Sequence, residues 1–435
     1  MTAHTTTINP DFHAWTPTPP MGWNSWDCFA TTVTEAQTKA NADVMARKLK
    51  QHGWQYIVVD IQWYEPNATG FPYRPGAELV MDEWGRLTPA ENRFPSAADG
   101  AGFKPLTRYV HDLGLRFGIH LLRGIPRQAV RENTPILGTL FHARDIADTN
   151  RICNWNDDMY GVDMTKPGAQ EYYDSVFALI ASWDVDYVKV DDLGHPYHKL
   201  EVEAVRKAID ATNRPVVFSV SPGDPPLEEG GHLGSQANLW RISADFWDNW
   251  PALRSQFKRI HDWNPFLGPG RYPDADMLPL GAIRQVPCPE EWGPQHTQFT
   301  ADEQRTMMSL WCMARSPLMM GGDLAKLDAA TLALLTNDDV LAIDQHSRGN
   351  HQFLDRDGLV GWRAEAEAAA GSYIGIFNTT DAPAIFPMKP ADLGFEGSIR
   401  IKDLWAKGES DIPAAETLPI PLPPHGCVLY RLSAV

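Results

Sequence analysis

Positive charge is scarce in this chain: 38 Lys and Arg stand against 55 Asp and Glu, for a formal net charge of −17. No basic cluster offsets the deficit, so a phosphate backbone would be repelled and nucleic acid is excluded as a partner. Long apolar runs are also absent; no stretch of about 18 consecutive apolar residues occurs, and no membrane-spanning helix is expected. The opening MTAHTTTINPDFHAWTPTPP has neither a basic start nor an apolar core of about 7 to 15 residues, so it is not a secretory leader, and the chain reads as cytoplasmic. Cysteine is sparse: Cys28, Cys153, Cys288, Cys312 and Cys427 are odd in number, scattered and without CxxC spacing. That pattern fits reduced thiols and excludes a disulfide frame or a structural zinc site. There is no GxGxxG after the first strand-like run, which removes the dinucleotide-binding alternative. Internal repeats and low-complexity blocks are missing too.

What the 435 residues do contain is alternation. From about residue 18 to 345, short strand-like runs (MGWNSW, YIVVDIQW, FGIHLL, YVKVDD, VVFSVS, LWRISAD, PDADMLPLG, PLMMGGD) are separated by helix-like stretches such as TEAQTKANADVMARKLKQHG and WPALRSQFKRIHDW. About eight strands alternating with helices predict an α/β fold of right-handed βαβ units, a (β/α)8 TIM barrel. Residues 123–161, following the third strand, are too long for a simple loop and are expected to roof part of a pocket. Residues 346–435 change to short alternating runs broken by Gly, Pro and Asp, which predict a small C-terminal antiparallel β-sandwich domain.

Carboxylates recur where these strands end. In YVKVDD, alternation puts Tyr187, Lys189 and Asp191 on one face and Val188, Val190 and Asp192 on the other. With the valines against helices, Lys189 and Asp191 point inward at the carboxyl end of the barrel, where this architecture keeps its chemistry. A lysine two residues away favours ionised Asp191, as a nucleophile requires; a barrel-end ion pair or helix cap is the competing role. Asp60, Asp245, Asp274 and Asp276 repeat the pattern. Several aspartates aimed at one mouth would repel each other unless a substrate used them, and one ionised plus one protonated carboxyl is the equipment of glycoside hydrolysis. Trp26, at a strand end, suits stacking on a sugar ring, whereas Trp63, Trp247 and Trp250 suit wall packing. His120 is inward by alternation with Gly118 and Leu122. His195 and His198 could join Asp191 and Asp192 around a metal, but metal-dependent barrels usually draw histidines from different strands, and no metal or other cofactor is expected.

PPMGWNSW (19–26), VVDIQW (58–63), YVKVDD, WRISADFWDNW (240–250), DADML (274–278) and ARSPLMMGGDL (314–324) resemble, in order, the signature segments of glycoside hydrolase family 27, the α-galactosidases and α-N-acetylgalactosaminidases. The resemblance implies a retaining exo-glycosidase cleaving terminal α-D-galactosyl or closely related residues through a covalent glycosyl-enzyme. Asp191 matches the nucleophile, Asp245 the general acid/base and Arg241 the sugar-binding arginine. Trp26, Asp60, Lys189 and Asp276 match positions lining the sugar site, and His120 and Ser221 are further substrate-binding candidates. The implied partner is a carbohydrate, with the oligomeric state, homo-oligomer included, left open. Several positions depart from the family. Ile61 follows Asp60 where α-galactosidases usually carry a second aspartate, and His120 stands where a tyrosine is common. Arg123 and Leu193 lie near an expected disulfide, and SVSPGDPP replaces a Glu-Trp-Pro signature. These point to a divergent bacterial-type subgroup, in which a β-L-arabinopyranosidase or an α-N-acetylgalactosaminidase is the alternative within the family. A non-catalytic carbohydrate-binding relative is the alternative outside enzymes.

Overall fold

A computed structural model describes residues 11–367 and 371–435. The first half of the opening segment read for a leader, residues 1–10, lies outside the described residues. The eight expected strands form at Met21–Asn24, Tyr56–Val59, Arg116–Leu122, Tyr187–Asp191, Val217–Val220, Leu239–Arg241, Tyr272–Asp274 and Leu318–Met320. They lie in one parallel sheet in the order seven, six, five, four, three, two, one, eight. The sheet closes where Leu278 pairs in parallel with Met320, four residues beyond the end of the seventh strand.

Side-chain alternation decides what faces the axis. Tyr56, Val58, Tyr187, Val217, Leu239, Tyr272, Met277 and Met319 form the interior cluster, while Val188 and Val190 pack outward in the larger core shared with the helices. The tyrosines take so much space that their neighbours must be minimal: a Cβ on Gly22 would collide with Tyr56, and one on Gly118 with Tyr187. The surrounding helices begin at sequence-legible caps. Thr34 and Gln37 form a reciprocal capping box for Glu35–Val44, Thr300 and Glu303 do so for Ala301–Ala314, and Asn249 caps Trp250–Trp263.

Beyond the third strand, the segment from Ile125 to Val162 folds into two short helices and a three-stranded antiparallel sheet of Ile125–Pro126, Met159–Val162 and Ala147–Ile152. At the C-terminus, a six-stranded antiparallel sheet faces a two-stranded one of Ala384–Met388 and Leu418–Leu422. Between them sits an apolar layer including Ile374, Ile376, Ile399, Ile401, Ile420 and Leu432. The architecture is thus a closed parallel barrel followed by an antiparallel sandwich. All five cysteines are unpaired, and among the described residues no helix is long and apolar enough to cross a membrane.

Candidate active site

At the carboxyl end of the barrel a cavity of about 370 Å³ is lined by Trp26, Asp60, Lys189, Asp191, Arg241, Asp245 and Asp276. Seven of the nine predicted site residues therefore converge on one space, from five different strand ends. His120 and Ser221, both fully buried, do not line it. His120 stands behind Asp191, its Nε2 2.9 Å from Asp191 Oδ2.

Two charge clusters face each other across the floor. In the first, Lys189 Nζ lies 3.0 Å from Asp60 Oδ2 and 3.7 Å from Asp191 Oδ2. Asn24 donates to the same Asp60 oxygen at 2.7 Å, and the Ile61 backbone N–H donates to Asp60 Oδ1 at 2.9 Å. Burial alone would favour a neutral Asp191, but the Lys189 ammonium, the His120 ring and the Ser221 hydroxyl outweigh it and hold the carboxyl well below the usual carboxylate range. Lys189 responds reciprocally: burial disfavours its charge, and Asp191 and Asp60 more than restore it. Asp60, His120 and Asp191 offer donor atoms within 4.8 Å of one another, a spacing that a metal could use. The Lys189 ammonium lies between these two carboxylates, where its positive charge would oppose a metal cation, so these residues do not fit a cation site.

In the second cluster, Arg241 Nη2 sits 2.6 Å from Asp276 Oδ2 and 3.3 Å from Asp245 Oδ1. Asp276 has φ of 84°, a left-handed conformation costly for a non-glycine residue. It is held there because its carboxylate accepts from the Phe246 and Met277 backbone N–H groups, each at 2.7 Å. This kink lets the chain leave the seventh strand, turn Asp276 into the cavity and rejoin the sheet at Leu278. Burial, Asp245 and Asp274 push the Asp276 pKa upward against the pull of Arg241. Asp245 differs from the others in being half exposed, at 53%.

Asp192 turns away, as alternation predicts. Its φ is 63°, and its carboxylate meets Arg123 Nη2 at 2.7 Å, with Arg123 Nη1 2.8 Å from Glu201 Oε1. A buried ion triad thus stands near the place where the resemblance implied a disulfide. His195 reaches the cavity wall, whereas His198 does not.

Other lining residues were not foreseen. Asp27, next to Trp26, is buried, its Oδ2 has no hydrogen-bond partner, and burial together with Asp276 and Asp245 pushes its pKa well up. Its position directly after the strand-end Trp26 was the available signal. Phe71, Tyr73, Trp155 and Trp292 also line the cavity, and Trp247, expected to pack in the wall, joins them. These lie in irregular loops, where no periodicity announces which way a ring points.

The family model described as "Alpha galactosidase A" matches residues 158–346, and that described as "Alpha galactosidase C-terminal beta sandwich domain" matches 363–432. Among curated proteins, the α-galactosidase of Cyamopsis tetragonoloba is 27% identical over 427 residues, covering 96% of this chain and 86% of that one. The α-N-acetylgalactosaminidase of Gallus gallus is 25% identical, covering 95% and 93%. Among solved structures, a family 27 β-L-arabinopyranosidase from Geobacillus stearothermophilus is 49% identical with a TM-score of 0.94, covering 98% of both chains. An ordered set of strand-end motifs, a barrel that brings them to one cavity and this extent of identity lead to one assignment: the chain belongs to glycoside hydrolase family 27, the α-galactosidase family.

Proposed function

We propose that the protein is a retaining exo-β-L-arabinopyranosidase. The observation that carries this reading is Ile61, a buried residue in the cavity wall directly after Asp60. β-L-Arabinopyranose has the ring stereochemistry of α-D-galactopyranose but lacks the hydroxymethyl arm. A galactosyl arm set against isoleucine would lose water without gaining a hydrogen bond, a cost of about 1–3 kcal/mol. The arabinosyl ring presents only hydrogen there. The similarity to the Geobacillus β-L-arabinopyranosidase supports the same choice.

In the proposed reaction the ionised Asp191 attacks the anomeric carbon as the bond to the leaving oxygen breaks, and Asp245 gives that oxygen its proton. Water then attacks the same carbon, losing a proton to Asp245 and releasing Asp191, so two inversions give net retention. Lys189, His120 and Ser221 keep Asp191 charged for attack. Asp60 and Asp276, fixed by charge-assisted hydrogen bonds, receive ring hydroxyls, and Trp26 covers an apolar face.

Nitrophenyl glycosides of both sugars test the choice. Expected is kcat/KM for the β-L-arabinopyranoside about 10–100 times that for the α-D-galactopyranoside, with Ile61→Asp narrowing or reversing the ratio. A galactoside preference in the unsubstituted protein makes it an α-galactosidase of the same family; hydrolysis of neither leaves it a sugar-binding relative.

A further inference from the structure

Above the polar floor, the cavity changes character. Phe71 lies at the centre of a ring network: its centroid is 5.6 Å from Trp26, 5.8 Å from Trp247 and 5.1 Å from Trp292. Tyr73 stacks on Trp26 at 6.0 Å with 15° between planes, and touches Trp155 at 5.5 Å. Five of these rings, Phe71, Tyr73, Trp155, Trp247 and Trp292, lie beyond the strand-end motif that supplies Trp26. They come from the loops after the second, third, sixth and seventh strands, so four separate segments have delivered aromatics to one mouth. The collar is also braced from outside: the Arg284 guanidinium lies 4.9 Å from the Trp247 ring centre and is itself paired with Asp248.

Core packing does not account for this arrangement. Trp155 and Trp292 remain 38% and 40% exposed while lining the cavity. Large rings left wet at the mouth of a pocket mark a surface that a ligand covers. The acidic and basic side chains are concentrated on the floor, whereas the collar offers ring faces with few side-chain hydrogen-bond groups. A second sugar there would keep most of its hydroxyls in water and gain few protein hydrogen bonds from the collar. A flat apolar group needs none.

We propose that the collar is a leaving-group subsite for a planar, apolar aglycone, an aryl or fused-ring alcohol, stacked against the exposed rings of the collar, Trp155 and Trp292. This rests on the reading above that the sugar occupies the floor, because the glycosidic oxygen then points toward the mouth. The full-length Asp191→Asn variant, in which turnover is halted, allows intact substrates to be titrated by calorimetry. The probes are methyl and benzyl β-L-arabinopyranoside and methyl and benzyl α-D-galactopyranoside.

Benzyl should bind roughly tenfold tighter than methyl within a sugar series, the scale of one good aromatic stack plus its buried area. Adding Trp155→Ala or Trp292→Ala should bring that ratio toward unity, and Trp155→Phe should restore most of it. Equal benzyl and methyl affinities overturn the subsite. An incorrect sugar assignment shows differently: galactosides outbind arabinosides at equal aglycone while the benzyl-to-methyl ratio persists. Failure to bind any of the four overturns both.

Discussion

At the scale of single residues, the site works by crowding five carboxyls, those of Asp27, Asp60, Asp191, Asp245 and Asp276, around Lys189 and Arg241. Two cations are too few to pair with every one of these carboxyls, and burial disfavours charge on a carboxyl left unpaired. Asp27 is the clearest case: among the described residues it has no ion-pair partner, and its folded-state pKa is raised chiefly by burial. The sign of its linkage follows. A carboxyl raised on folding favours the folded state most below its unfolded pKa, near 4, and this advantage is lost as pH rises toward the folded value. Asp27→Asn, neutral at every pH, should therefore raise Tm at pH 7 by a few degrees, with the difference disappearing near pH 4. Thermal unfolding of both proteins across that range checks it; a constant difference would mean that Asp27 is ionised in the fold. Asp191 has the opposite sign: its stabilisation is present above the unfolded pKa and lost only as pH falls through the depressed folded value.

At the scale of elements, the chemistry depends on how strands end. The fourth strand stops because Asp192 enters a left-handed turn, anchored by Arg123 at the end of the third strand. Arg123 donates through Nε to the Asp192 carbonyl at 2.9 Å, and its backbone N–H donates to the Asp191 carbonyl at 2.9 Å. Glu201 at the start of the helix Lys199–Ala211 completes the triad, accepting also from the Tyr173 hydroxyl at 2.6 Å. Removing the guanidinium by Arg123→Ala leaves two carboxyls buried without their cation. The expected cost is about 3–5 kcal/mol in denaturant-induced unfolding, since breaking one side of a buried pair strands the other. A loss below about 1 kcal/mol would show that water enters and solvates the triad. This anchor was only partly legible in the sequence. Alternation in YVKVDD assigns Asp191 inward and Asp192 outward without help, because a strand has a period of two. The partner of Asp192 was not legible: Arg123 is 69 residues away, and no local rule pairs them.

At the scale of the whole molecule, the C-terminal sheet packs one side into the core of the barrel and keeps the other for the sandwich's own apolar layer. Trp362, Ala364, Tyr373, Phe377, Leu404 and Leu429 from the C-terminal sheet belong to the same buried cluster as the barrel helices. Polar ties reinforce the seam: His425 stacks on Trp250 at 3.7 Å and lies 2.8 Å from Glu303, the capping residue of Ala301–Ala314. Units that share so much buried surface should not unfold separately. Calorimetry is expected to show one endotherm for the full chain, and Trp362→Ala should lower it as a single peak; two resolved peaks would show that the seam is weak.

The sequence by itself determined the barrel, the sandwich and the identity of the strand-end carboxylates. Those features follow from short-range periodicity: an alternating run can bury only one face, and a residue at its end inherits that face wherever the strand lies. Tertiary structure decided what the carboxylates are next to. Only the curled sheet brings Asp60 to Lys189 and Asp276 to Arg241, and so completes the two charge clusters whose local halves, Lys189 with Asp191 and Arg241 with Asp245, the sequence already held. It also decided the collar. Phe71, Trp155 and Trp292 are far apart in sequence in connections without period, and they line one cavity because the connections that follow the strands of a closed barrel all open onto the same mouth.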